Sequence, residues 1–125
     1  MRYVFAIRSR QNEVFFSPAS IWEIATSARA ARWAKGFSAQ EIASGALDAG
    51  FVELPINADA AARVGTLPPF HDDAFDRILI AQAIVEPASL LTTDKFLQQY
   101  TDIVEVVEPM INPRYRYGAS SRTAR

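Results

Sequence analysis

Short apolar runs alternate with capped helical stretches along most of this chain, and that alternation narrows the possible folds more than any other feature. Val14-Phe15-Phe16, bounded by Asn12 and Ser17-Pro18, reads as a buried strand. Ser20-Ile21-Trp22-Glu23 has the S-x-x-E form of a capping box, so a helix is expected from Ser20 to about Lys35, stopped by Gly36. A second box, Ser38-Ala39-Gln40-Glu41, opens a helix to about Ala49, before Gly50. Phe51–Leu54 reads as a strand ended by Pro55, and Asn57 caps a helix from Ala58 to Val64. Asp73 caps the next helix, Ala74 to Val85, which is apolar almost all round and therefore expected to be well buried. Ser89–Thr93 and Ile103–Val107 are the remaining strands, with a short helix from Lys95 to Tyr100 between them. The pattern predicts an α/β domain with a mainly parallel sheet.

The chain has 125 residues, enough for one domain with a real core. Its formal net charge of −1 makes the whole chain no general attractor of nucleic acid, so any such contact must come from a local patch. The absence of cysteine excludes disulfides and thiolate metal sites. No apolar run approaches the roughly 20 residues that span a bilayer. The N-terminal apolar segment is too short and too soon interrupted for a signal peptide. A soluble, cytoplasmic chain is expected. Residues 1–108 form the expected domain. The tail 109–125, with Arg114, Arg116, Arg122 and Arg125 and no acid, reads as a flexible basic extension.

In open α/β sheets, ligands bind beyond the carboxyl ends of the strands. Asp94 directly follows its strand, Asp76 lies in the first turn of the helix before it, and Glu23 follows the Val14–Phe16 strand. These acids converge if their strands are neighbours. Two carboxylates about 4 Å apart repel by roughly 4 kcal/mol at an effective dielectric near 20, so such a pair takes up a proton or a cation. An all-oxygen set selects Mg²⁺ or Mn²⁺, and phosphodiester hydrolysis is the natural reaction class. Each acid also has a purely local role. Glu23 completes a capping box, Asp73 and Asp94 cap helices, and Asp76 complements a helix dipole. Arg77 serves a salt bridge or a bidentate phosphate contact. His71 reads as surface rather than a substrate contact, Thr92 and Thr93 as strand residues of which one hydroxyl orients Asp94, and Trp22 and Trp33 as core or interface rather than a base-stacking surface.

Taken in order, Ser20-Ile21-Trp22-Glu23-Ile24-Ala25, Leu67-Pro68 with His71, Asp73-Ala74-Phe75-Asp76-Arg77-Ile78-Leu79-Ile80-Ala81-Gln82-Ala83 and Leu91-Thr92-Thr93-Asp94 resemble PIN-domain proteins, and most closely the VapC-like ribonuclease toxins of type II toxin–antitoxin pairs. The resemblance implies a three-layer α/β/α sandwich and Mg²⁺- or Mn²⁺-dependent RNA cleavage. It implies a bacterial antitoxin partner and a homodimer. Glu23, Asp76 and Asp94 are then the metal-binding and catalytic acids, Thr92 supports Asp94, and Asp73 shapes the loop. One departure stands out. The family's opening strand, which ends in Asp, has no acidic counterpart in the first twelve residues. A parallel neighbour of Val14–Phe16 would need a crossover of about a dozen residues or more, and Ile7 to Val14 offers only a handful. The first strand is therefore expected to be missing, with Met1–Arg8 part of a preceding helix and a gap at the centre of the sheet. Two readings follow: a metal-dependent ribonuclease with an incomplete acidic set, or a shortened, impaired domain that only binds an antitoxin-like partner. Cleavage of DNA or structured RNA is a third.

Overall fold

The centre of the sheet is filled. The computed structural model describes residues 6–9, 13–69, 72–86, 88–92, 99 and 104–106. Five strands, β1 (Ala6–Ser9), β2 (Val14–Phe16), β3 (Val52–Glu53), β4 (Ala88–Thr92) and β5 (Val104–Val106), form one sheet in the order β3-β2-β1-β4-β5. β3 pairs parallel with β2, and β5 parallel with β4. β1 is antiparallel to both its neighbours, with Ile7 opposite Phe15 on one side and Leu90 on the other. The expected gap and the expected N-terminal helix are thus both corrected at Ala6–Ser9. The crossover argument excluded only a parallel strand. Antiparallel neighbours join through a short hairpin, and the four residues between Ser9 and Val14 suffice. The mainly parallel α/β sheet is otherwise as the sequence predicts.

Two helices of the β2-to-β3 connection start elsewhere than expected. Helix α1 spans Pro18–Thr26, and Ser17 rather than Ser20 is its cap, its hydroxyl accepting from the Ala19 N–H at 3.0 Å. Proline at the first helical position carries a preset φ and lacks an N–H that would go unbonded there, so the Ser17-Pro18 start takes precedence over the S-x-x-E box. Ser27, in extended conformation, interrupts the long expected helix and caps α2 (Ala28–Trp33) through the Ala30 N–H. The Ser38–Glu41 box is present in both directions and opens α3 (Ala39–Asp48). Asn57 caps α4 (Ala58–Arg63), which a 3-10 turn over Val64–Thr66 extends. Asp73 caps α5 (Ala74–Val85), accepting from the N–H groups of Phe75 and Asp76.

The β2-to-β3 connection moves outward along the sheet in one direction, and the β3-to-β4 connection returns in the other. Right-handed crossovers therefore place α1–α3 on one face and α4–α5 on the opposite face. On the α5 face, Phe15, Ile7, Leu90 and Val104 form a row across four strands and join Leu79, Ile80 and Ala83 in the main core. A smaller core of Ile24, Ala30 and Ala34 ties α1 to α2, with Ala39 and Ile42 of α3 against it. Gln82, buried in α5, donates from Nε2 to the carbonyls of Leu54 and Pro55 at 3.0 and 3.2 Å, which fastens the end of β3 to α5. Among the described residues no helix is long and apolar enough to cross a membrane.

Candidate active site

The strands β2 and β4 flank β1, and the connection that leaves β2 and the one that enters β4 lie on opposite faces. Such a switch point opens a crevice at the carboxyl ends of the strands. The buried polar side chains of the described residues gather there. Of Ser17, Ser20, Asp76, Gln82 and Thr92, all but Gln82 lie at this edge. Ser17 ends β2, Ser20 is in the first turn of α1, Thr92 ends β4, and Asp76 is in the first turn of α5.

Two columns explain how Asp76 and Thr92 arrive at one level. Inward residues of a strand recur every second position, so Ala88, Leu90 and Thr92 share the α5 face of β4. Residues three or four apart share a helix face, so Asp76, Leu79 or Ile80, and Ala83 form one stripe of α5. Both columns are apolar below and polar at the carboxyl edge. Helix α5 runs back toward the start of β4, which sets its N-terminus at the carboxyl edge. Asp76 is 3% exposed and Thr92 1%. A carboxylate buried to that degree persists only with compensating partners.

Glu23 enters from the other layer. It is the sixth residue of α1, three further along than a helix capped at Ser20 would make it, and it is half-buried. The rings of Trp22 and Phe75 meet edge to face at 5.3 Å, with planes at 80°. Each ring immediately precedes an acid, Glu23 on α1 and Asp76 on α5. The two acid-bearing helices thus touch across the top of the sheet. Trp22 and Trp33 are both exposed rather than part of the core.

The remaining sequence candidates have definite places or fall outside the described residues. Asp73 is the cap of α5. Arg77 is half-buried and donates to the carbonyls of Val64 at 3.0 Å and Pro68 at 3.1 Å, holding the segment that leads into α5. Asp94, Thr93 and His71 lie outside the described residues, as do the tail 109–125 and the expected helix Lys95–Tyr100 apart from Gln99. Ser17 and Ser20 are site-edge residues that the sequence reading took only for a strand boundary and a helix cap. The Ser-Pro step after an apolar run was the available signal that the helix, and with it Ser20, begins at the strand's end.

The antiparallel β1 also changes what the crevice contains. Its first residue, Ala6, stands opposite Leu91 near the carboxyl end of β4. None of the residues of β1, Ala6–Ser9, carries a carboxylate. Among the described residues no group of three His, Asp or Glu side chains is placed to hold a metal ion. The donors at this edge are all oxygens, carboxylate and hydroxyl, which is the chemistry that hard divalent cations select.

An α/β domain with strand order β3-β2-β1-β4-β5 and an acid-bearing crevice at its switch point is the class that fold and site define. The model of the PIN domain family matches residues 1–103. The chain belongs to the PIN domain family, a family of nuclease domains. Comparison with curated proteins and with solved structures returns no significant match.

Proposed function

We propose that this chain is a divalent-metal-dependent endoribonuclease of the VapC-like toxin type, hydrolysing RNA phosphodiester bonds. The observation that carries the reading is the meeting of α1 and α5 above the switch point, each presenting an acid one residue from the Trp22–Phe75 contact. Glu23, Asp76 and Asp94 hold Mg²⁺ or Mn²⁺ and position the attacking water through their carboxylate oxygens. When bound, the cation polarises the phosphate and eases deprotonation of water. Thr92 is buried at the end of β4, and this reading assigns its hydroxyl to the support of Asp94. Asp73 fixes the first turn of α5, and with it the height of Asp76. Arg77 keeps the preceding segment in place. In this reading the chain acts in the bacterial cytoplasm as a homodimer, an antitoxin covers the acid crevice, and the basic tail 109–125 contacts RNA phosphates.

A second reading rests on β1. The strand that occupies the central slot brings no carboxylate to the crevice, so the set is one acid short. A domain that binds an antitoxin-like partner without cleaving RNA fits that arrangement. One experiment separates the two. Labelled RNA is incubated with the protein and Mg²⁺ or Mn²⁺. The ribonuclease reading expects cleavage that chelation abolishes and that falls at least a hundredfold in Asp76→Asn and in Asp94→Asn. Cleavage that persists with chelator, or full activity in both variants, rejects it. No cleavage at any metal concentration, with partner binding intact, selects the second reading.

A further inference from the structure

Trp22 is 62% exposed, the most exposed large hydrophobic side chain of the described residues. It is braced rather than free, since Phe75 meets it edge to face. Its neighbours one turn away on α1, Pro18 and Ala19 on one side and Ala25 and Thr26 on the other, are all small, so α1 adds no second large apolar side chain to it. Docking faces for proteins are contiguous patches. A single rigid ring standing beside carboxylates fits a different guest, the flat face of one nucleobase. Aromatic stacking accepts any base, and it holds the strand without a positive charge close to the acids.

We propose that Trp22, supported by Phe75, is the platform on which one base of a single-stranded RNA stacks, setting which phosphate lies over Glu23 and Asp76. The inference rests on the ribonuclease reading for its substrate class. The adjacency of ring and acid along both helices gives it a definite geometry. Phe37 is as exposed but lies between α2 and α3, on neither acid-bearing helix.

The test uses the full chain with Trp33→Phe, so that Trp22 is the sole tryptophan, and with Asp76→Asn, so that the probe survives. A short oligouridylate and an abasic oligoribonucleotide of the same length are titrated against it. Quenching of the indole by the first and not by the second is expected. Replacing Trp22 by Ala is expected to weaken binding of labelled oligouridylate about tenfold, and Trp22→Phe to retain most of it. Equal quenching by the abasic probe, or unchanged affinity in Trp22→Ala, overturns the proposal. So does a change of molar mass in solution on Trp22→Ala, which would assign the ring to contact between copies. Failure of the nuclease reading shows separately. Trp22 would then still report base binding, while the chain with Asp76 intact cleaves nothing with Mn²⁺.

Discussion

Leu90 and Leu91 are adjacent in β4 and chemically identical, yet Leu90 is fully buried on the α5 face while Leu91 is only half-buried on the other. The same contrast runs along β1 and β4, while on β2, from which the α1–α3 connection departs, Phe15 and Phe16 are both buried. Ile7, Val104 and Ala88 are buried on the α5 face, whereas Ala6, Arg8 and Ser89 on the opposite face are half-exposed. There, an ion pair between Arg8 and Glu105 spans from β1 to β5. The cause lies in connectivity. A parallel β1 would reach β2 through a right-handed helical crossover lying on the α1 face. The short antiparallel hairpin has no room for that helix. Of the described helices on that face, α1–α3 belong to the β2-to-β3 connection. One reversed strand therefore accounts for the thinner cover of that face beside β1 and β4.

The contrast is open to a graded series of substitutions, read by chemical denaturation. Leu90→Ala removes a fully enclosed side chain and is expected to cost about 3 kcal/mol. Equal losses from Leu90→Ala and Leu91→Ala would erase the difference between the faces. Gln82→Ala takes the donor from two carbonyls at the end of β3 and is expected to cost about 2 kcal/mol. Its own Oε1 is buried with no partner, which trims the loss. Leu91→Ala follows at about 1 kcal/mol, since much of that side chain is already in contact with water. Arg8→Ala is the smallest change, about 0.5 kcal/mol, because the ion pair is well exposed and screened. Added salt is expected to remove that last effect and leave the others, whereas a loss near 2 kcal/mol would show that the ion pair is a main support of its face.

What was legible in the sequence was local. Asp73, Asn57 and Ser38 each announce a helix through a side-chain oxygen placed to receive the free N–H groups of the first turn, and each does so in the structure. The span of α5 is legible for the same reason. Competing local signals were misjudged where two lay close together. Ser17-Pro18 and Ser20-x-x-Glu23 both describe a helix start, and only one can stand. Ser27 repeated the ambiguity in the middle of an alanine-rich stretch, where propensity favours continuation but a serine hydroxyl offers a new cap. The antiparallel β1 was hidden for a different reason. Strand direction is settled by partners distant in sequence, and nothing in Ala6-Ile7-Arg8-Ser9 specifies whether Leu90 meets it head-on or in reverse. In the candidate site, Asp76 was legible from its place in the first turn of the helix before β4 and Thr92 from the family resemblance, while the exposure of Trp22 depends on how α1 and α5 meet.

β1 is also the only strand of the described sheet that joins its two halves. β3 and β2 make one parallel pair and β4 and β5 another, and every hydrogen-bonded ladder between them passes through Ala6–Ser9. Four residues thus act as the keystone of the sheet. Lifted out, they leave β2 and β4 as bare edges facing one slot, an open invitation to a strand from another molecule. A peptide with the sequence of this segment, added to a chain that lacks it, has a ready-made seat.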